Sequence, residues 1–335
     1  MSAKSANAFI AFLMIFYYWF RGIVLFFVPK PLRFKSIDGQ LAVITGGGSG
    51  LGRALALRFA RRGANIIVWD VNESGLRETV RLVQEDSPGV KVYHQVVDVT
   101  DRTKVYQTAR DIQQSIGRVD IVVNNAGIVN GRPLMDIPDD RIELTIRVNA
   151  VSHFWTVKAF LPDMIERNSG HFVSIASVAG QIGTVKLTDY CASKHAAIGF
   201  EESLRMELLS AGLTDIRSTV VLPYFMNTGM FHGFKSSILP ALDYELVADS
   251  VVSGVLCNDE YVVVPKICYT LNTLKTLMPV RAYYKLYEVM GGYQAMEDFT
   301  GRDGLTAADT TAKHTNSNNN SINNNNNNNQ RQKVN

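Results

Sequence analysis

Cysteine is scarce. Only Cys191, Cys257 and Cys268 occur in 335 residues. This odd, scattered set makes no disulfide framework and holds no pair at metal-ligand spacing. No metal is therefore expected, and the thiols read as reduced groups in a chain facing the cytosol. An excess of one charge is also lacking. Lys and Arg total 34 against 31 Asp and Glu, a net charge of +3. Dispersed charge of this size argues against a nucleic-acid partner.

Apolar residues make up 46% of the chain, enough to core one large α/β domain or two small ones. Two ends differ from the middle. Phe9 to Val28 is almost wholly apolar, about as long as the roughly 20 residues that span a bilayer core as a helix. Arg21 interrupts it near its carboxyl end, where the stem can reach the interface. Phe16, Tyr17, Tyr18 and Trp19 form a cluster of the interfacial aromatic kind. The following Val28-Pro29-Lys30-Pro31 is a poor signal-peptide cleavage site. An uncleaved anchor is therefore expected, as a span, a hairpin or a helix in one leaflet. The hairpin would suit a lipid-droplet monolayer. Lys30, Arg33 and Lys35 outnumber the cations before the run, which places the following domain in the cytosol. At the other end the chain turns polar from about Ala307, and Asn318 to Asn329 is nearly pure asparagine. Such a segment buries too little apolar surface to order itself. The expected organisation is an anchor with a basic linker (1–36), one α/β domain (37–304) and a disordered tail (305–335).

From Leu41 the pattern alternates strand and helix. Leu41 to Thr45 reads as a buried parallel strand. Gly46-Gly47-Gly48-Ser49-Gly50-Leu51-Gly52 then opens a helix running to about Arg62, and Ala64 to Asp70 is a second strand ending in an acid. Glycines let backbone approach a pyrophosphate, and a helix amino terminus offers it free N–H groups. Asp70 stands where a ribose-binding acid belongs. A carboxylate there repels a 2′-phosphate, so NAD is expected over NADP, with Arg53 as the nearby cation that keeps NADP in play. Val92 to Val97 is a third strand, followed by Asp98, which is placed to receive the adenine amino group. Ile121 to Val123 is a fourth, followed by Asn124-Asn125-Ala126-Gly127. Both ends lie where open parallel sheets bind ligands.

His171 to Ile175 reads as a fifth strand with Ser177 just beyond it. Tyr190 and Lys194, four apart, then share one face of a helix running to about Ala211. Free tyrosine titrates near pH 10 and is a poor base at neutral pH. A neighbouring ammonium lowers that value. Lys194 is placed to do so and to hold the nicotinamide ribose. Tyr190 then takes a hydroxyl proton as hydride leaves for the cofactor, with Ser177 hydrogen-bonding the same oxygen. This is alcohol dehydrogenation without a metal.

Thr45-Gly-x-x-x-Gly50-x-Gly52, Asn124-Asn125-Ala126-Gly127, Asn149, Ser177 and Tyr190-x-x-x-Lys194 together resemble the short-chain dehydrogenase/reductase family, in order and at family spacing from about Asp38 to Thr228. The resemblance implies a single Rossmann-type, doubly wound parallel sheet of about seven strands. It also implies a catalytic tetrad of Asn149, Ser177, Tyr190 and Lys194, with Asn149 supporting a water that relays protons to Lys194. Implied cofactor residues are Gly46, Ser49, Gly50, Leu51, Gly52, Asp70, Asp98, Asn125, Ala126, Gly127, Tyr190, Lys194 and Thr228, the last matching the family's carboxamide-contacting threonine. Read from its own surroundings, Asn149 is only a polar residue in the helix before strand five. One departure is visible. After strand six, Ser218 to Leu222, the family usually has Pro-Gly, but this chain has Pro223-Tyr224, and Tyr224 is expected to crowd the nicotinamide side.

The apolar run together with Asn227-Thr228-Gly229-Met230 is similar to the branch of epidermal retinol dehydrogenases and lipid-droplet 17-beta-hydroxysteroid dehydrogenases. That resemblance implies a lipophilic alcohol, oxidised with NAD, at the endoplasmic reticulum membrane or a lipid droplet. The sequence leaves the oligomeric state open, with a homodimer as one candidate. Tyr261 to Met296, apolar with interspersed cations, fits either an amphipathic membrane contact or a core-packing segment. A low-activity scaffold and a carbonyl reductase of the same family are the competing readings.

Overall fold

The computed structural model of the chain describes residues 3–236 and 239–301. Seven strands, β1 (Leu41–Thr45), β2 (Asn65–Asp70), β3 (Val92–Val96), β4 (Ile121–Asn124), β5 (Gly170–Ile175), β6 (Ile216–Pro223) and β7 (Tyr261–Val264), form one sheet. Its order is β3-β2-β1-β4-β5-β6-β7, and every pairing is parallel. The order reverses direction between β1 and β4, which opens a crevice at their carboxyl ends.

The strands are apolar on both faces because both faces are covered. Ala42 and Ile44 point to a layer built from α2 (Gly50–Ala60), α3 (Glu73–Asp86) and α8 (Tyr244–Cys257). Leu41 and Val43 point the other way, to α4 (Arg102–Ser115), α6 (Ser152–Glu166) and α7 (Thr188–Ser210). The largest fully buried side chains include Trp69, Phe59, Phe160 and Phe172. Asn72 and Asp101 cap α3 and α4 by accepting from Gly75 N and Lys104 N, which fixes where the chain turns back from the crevice.

Three local results differ from the sequence expectation. The first crossover helix stops at Ala60 rather than near Arg62, at a turn where Gly63 takes φ +84°. Asn149 is not in a regular α-helix. It lies in a π-helical segment, Arg147–Val151, between α5 (Asp139–Ile146) and α6. Tyr261 to Met296 divides into β7, α9 (Cys268–Leu277), α10 (Val280–Val289) and a turn-rich end that buries Ala295 and Met296.

The amino-terminal run forms α1 (Ala3–Phe27), whose side chains from Phe9 to Val24 are exposed. Among the described residues no helix is long and apolar enough to cross a membrane. The expected anchor is thus not displayed as a span; the run forms a helix with most of its described side chains exposed. The linker after it is fastened down. Lys30 and Arg33 both pair with Asp259, at 2.7 and 3.1 Å. Lys35 N donates to Leu256 O, and Lys35 Nζ lies 3.2 Å from His171 Nδ1. Burial and the nearby Arg217 charge bring the Lys35 amine down to about 8. The expected tail, 305–335, lies outside the described residues.

Candidate active site

The glycine turn after β1 is held open by close backbone contacts. Gly46 takes φ +66°, and a Cβ there would lie 2.9 Å from the Ala126 Cα. At Gly52 a Cβ would meet the Gly46 carbonyl at 2.1 Å, so α2 can start against the turn only with glycine at that position. Ser49 precedes α2 without a capping side-chain bond, leaving the first N–H groups of the helix directed into the crevice.

Side chains from neighbouring strands brace this turn. Thr45 Oγ1 accepts from Asn125 N and Ala126 N, each at 3.0 Å. Asn125 Nδ2 donates to Thr45 O at 2.9 Å and to Gly46 O at 3.2 Å. Asn125 therefore braces the cradle as well as lining it. Asp70 accepts from Gly48 N and Asn72 N, both at 3.0 Å. Asp98 Oδ1 accepts from Thr100 N and Oγ1 at 2.8 Å. Arg53, the cation that kept NADP in play, is committed elsewhere. It donates to Gly48 O at 2.6 Å, Gly75 O at 3.2 Å and Thr79 Oγ1 at 3.0 Å.

Tyr190 and Lys194 come from the first turns of α7 and are both buried. Lys194 Nζ donates to Ile175 O at 2.8 Å and sits 5.7 Å from the centre of the Tyr190 ring. Ser177, just past β5, lines one chamber with Tyr190. It also accepts from Ala179 N at 3.1 Å and donates to Pro223 O at 3.4 Å. Burial brings the Lys194 amine down to about 8. Burial also pushes the Tyr190 phenol above its ordinary value, against the smaller opposing pull of Ser177. The direction on Tyr190 is thus opposite to the one the Tyr–Lys pair alone suggests. Desolvation of the phenolate outweighs the hydrogen-bonding pull of Ser177.

Asn149 is fully buried behind this pair. Its Oδ1 accepts from Ile128 N at 2.8 Å, and its Nδ2 donates to Ile128 O at 2.9 Å and Ser193 Oγ at 3.0 Å. Ser193, which sequence reasoning passed over, donates onward to the Tyr190 carbonyl at 2.7 Å. The π-helical turn widens the helix by one residue per turn and so delivers the Asn149 amide to the Ile128 loop.

All thirteen residues predicted to bind cofactor line one cleft of about 200 Å³. Thr228 closes it from the β6–α8 connection, its Cβ 3.4 Å from where a Gly50 Cβ would be. Ser177 lines an adjoining chamber with Tyr190, and Asn149 lines neither. A larger cavity of about 1230 Å³ runs along the outer edge of β7 beside α1 and carries none of the predicted residues. Among the described residues no His, Cys, Asp or Glu side chains gather as a metal site. Tyr224 does not crowd the cofactor cleft. Its N–H extends the sheet to Val264 O at 2.8 Å, and its ring turns into the adjoining chamber.

The family model for short chain dehydrogenases matches residues 40–238. The chain belongs to the short-chain dehydrogenase family. This dehydrogenase is 42% identical over 282 residues to epidermal retinol dehydrogenase 2 of Mus musculus, covering 83% of this chain and 90% of the mouse protein. It is 39% identical over 290 residues to short-chain dehydrogenase/reductase family 16C member 6 of Bos taurus, covering 86% and 91%. Among solved structures, a Burkholderia phymatum short-chain dehydrogenase/reductase in complex with NAD matches with a TM-score of 0.65 at 28% identity. That match covers 72% of this chain and 94% of the bacterial one. A metagenomic short-chain oxidoreductase in complex with NADP matches with a TM-score of 0.58 at 26% identity, covering 69% and 97%. The dehydrogenase is thus an NAD(P)-dependent alcohol dehydrogenase of the short-chain type, and the uncapped start of α2, the glycine cradle and Asp70 suit a dinucleotide.

Sequence reasoning missed the apolar wall of the site. Met226, Met230 and Phe231 line the cofactor cleft, and Phe225, Phe234, Met296 and Phe299 pack around Tyr190. These residues come from irregular segments, where no periodicity marks them. The aromatic density of Tyr224-Phe225-Met226 and Met230-Phe231-His232-Gly233-Phe234 was the available signal.

Proposed function

We propose that the dehydrogenase uses NAD to oxidise a lipophilic alcohol of the retinol or steroid class, at a membrane or lipid-droplet surface, with Tyr190 as the general base. The observation that carries this reading is the position of Tyr190. Tyr190 lines both the cofactor cleft and an adjoining chamber walled by Val178, Ile182, Tyr224, Phe225 and Phe231. The aromatic and aliphatic side chains around that point suit an alcohol with an apolar body. The relatives named retinol dehydrogenases support the same substrate class.

Bound oxidised nicotinamide supplies the acceptor for the hydride. Ser177 donates to the alcohol oxygen and orients it. Tyr190 removes the hydroxyl proton as the carbon–hydrogen bond breaks, so the alcohol loses one hydride and one proton and becomes a carbonyl. Lys194, held by the Ile175 carbonyl, places its amine beside the Tyr190 ring. Asn149 and Ser193 fix the Ile128 loop against the start of α7. Asp70 accepts ribose hydroxyls and repels a 2′-phosphate, and the commitment of Arg53 to backbone carbonyls favours NAD further.

The exposed apolar side of α1, from Phe9 to Val24, supports attachment to lipid without requiring a span. Phe154, Ile165, Met206 and Leu209 are exposed on the outer faces of α6 and α7 and suit a homodimer contact. The test is turnover of all-trans-retinol and of a 17-beta-hydroxysteroid by the full chain in lipid vesicles, with NAD and NADP compared. Oxidation of at least one, faster with NAD, is expected. No turnover of either would remove the substrate class while leaving the family intact.

A further inference from the structure

The apolar space beyond Tyr190 is not one pocket. A catalytic chamber of about 30 Å³ touches Ser177 and Tyr190. A distal chamber of about 90 Å³ lies beneath α9 and α10, lined by Leu271, Leu274, Tyr283, Leu286 and Met290. The two share Ile182, Thr184, Tyr224 and Phe225 as a common wall. The Tyr224 ring stands edge-on to Phe225 at 5.1 Å and to Phe234 at 5.9 Å, and its hydroxyl donates to Ser236 Oγ at 3.3 Å. Phe225 and Phe234 are stacked face to face, 3.7 Å apart and 9° from parallel. Phe231 continues the array to Tyr190 at 5.6 Å.

We infer that Tyr224 is a specificity-determining residue, and that the distal chamber holds the tail of an extended, single-chain lipid alcohol in preference to a rigid fused-ring one. The inference rests on the alcohol-dehydrogenase reading above and names the substrate shape within it. The physical argument is about width. A wall of flat rings parts by small rotations of those rings, which admits a narrow, flexible, methyl-branched chain. A fused-ring body with axial methyl groups needs the wall itself removed. Tyr224 carries the largest side chain of that wall, at a position where the family usually has glycine. Ring packing on Phe225 and Phe234, with the backbone bond to Val264, holds it in that wall. The tail beyond the wall meets leucine, methionine and tyrosine rings, and each methylene it buries there adds to affinity.

The experiment measures kcat/KM of the detergent-solubilised full chain with NAD on three probes: octan-1-ol, geranylgeraniol and 17-beta-estradiol. The wild type is expected to prefer geranylgeraniol to both. Leu271→Trp fills the distal chamber and should lower the geranylgeraniol-to-octanol ratio about tenfold or more. Tyr224→Gly removes the wall and should raise the estradiol-to-geranylgeraniol ratio about tenfold or more, whereas Tyr224→Phe should leave that ratio close to wild type. Each variant is read as a ratio within one preparation, so partial misfolding cancels. Estradiol matching geranylgeraniol in the wild type would overturn the inference. So would ratios unmoved by both Leu271→Trp and Tyr224→Gly while alcohols are still oxidised. Failure to oxidise any alcohol would instead overturn the underlying reading of function.

Discussion

On the β1–β4 side of the cleft the walls are backbone. Gly46, Gly50 and Gly52 expose it, Thr45 and Asn125 brace it, and Asp70 ends it. On the β6–α10 side the walls are rings and thioethers brought together from separate stretches: 224–234 after β6, 271–290 in α9 and α10, and 295–299 near the end of the described chain. A cofactor common to many enzymes is met by groups whose geometry leaves little freedom. A substrate peculiar to one branch is met by side chains that can be exchanged without moving the sheet. Tyr190 stands at the seam, with its phenol facing both sides.

The sharpest way to break this division is at the seam itself. Tyr190→Phe should lower kcat by at least about a hundredfold, since general-base catalysis is worth that much or more. Cofactor affinity, measured by quenching of protein fluorescence on NAD addition, should change little. Near-normal turnover would remove Tyr190 from the role of base. The pH profile sharpens the same point. Burial lowers Lys194 to about 8 and raises Tyr190, so the first proton to leave the pair does so near 8. Oxidation needs the deprotonated pair, so kcat/KM should climb about tenfold per pH unit up to that region and then level. Lys194→Met should move the climb to higher pH, because the raised phenol is then left alone. A profile flat from about pH 6 to 10 would contradict the assignment.

On the backbone side, Asp70→Ser should erase much of the preference for NAD over NADP, a change of about tenfold in the ratio of the two kcat/KM values, or about 1.4 kcal/mol. Equal effects on both cofactors would show that Asp70 only braces the Gly48 and Asn72 amides. The smallest effect concerns neither wall but the helix beneath them. Glu201 is fully buried, accepts from Ser174 Oγ, and has Oε1 without a hydrogen-bond partner. Burial raises its carboxyl from 4.5 to about 7. Between those values the folded state keeps a proton that the unfolded chain releases. The contribution to stability is therefore present below 4.5 and lost as pH rises through 7. Glu201→Gln should raise Tm at pH 8, by roughly 2–4 °C per kcal/mol recovered, and leave it unchanged at pH 4.5. A shift independent of pH would show that Glu201 does not titrate in the fold.

The difference between the two walls also explains what could be read from sequence. The turn from Gly46 to Gly52 was legible because a strand before it and a helix after it leave few conformations open. Asp70, Asp98 and Asn125 were legible because parallel strands deliver their last residues to one edge. Tyr190 and Lys194 were legible as a helical pair. The direction of the Tyr190 shift was not, because it depends on burial by Phe231, Met296 and Phe299, which no spacing rule brings to α7. The π-helical setting of Asn149 was hidden for a similar reason. An extra residue in one turn leaves no mark in an apolar pattern that stays helical on both sides. Tyr224 is legible as a departure but its placement is not, since a sequence names the residue after β6 and not the face to which its ring turns.

The clamp of Lys30 and Arg33 on Asp259, with the Lys35 bond to Leu256, makes the chain between α1 and the sheet a bracket rather than a leash. A leash would let the catalytic body tumble over whatever surface α1 occupies. A bracket holds the foot of α1 beside β7, where Arg21, Gly22 and Leu25 line one cavity with Tyr261 and Val263. Charge reversal at Asp259 would then loosen aim rather than chemistry.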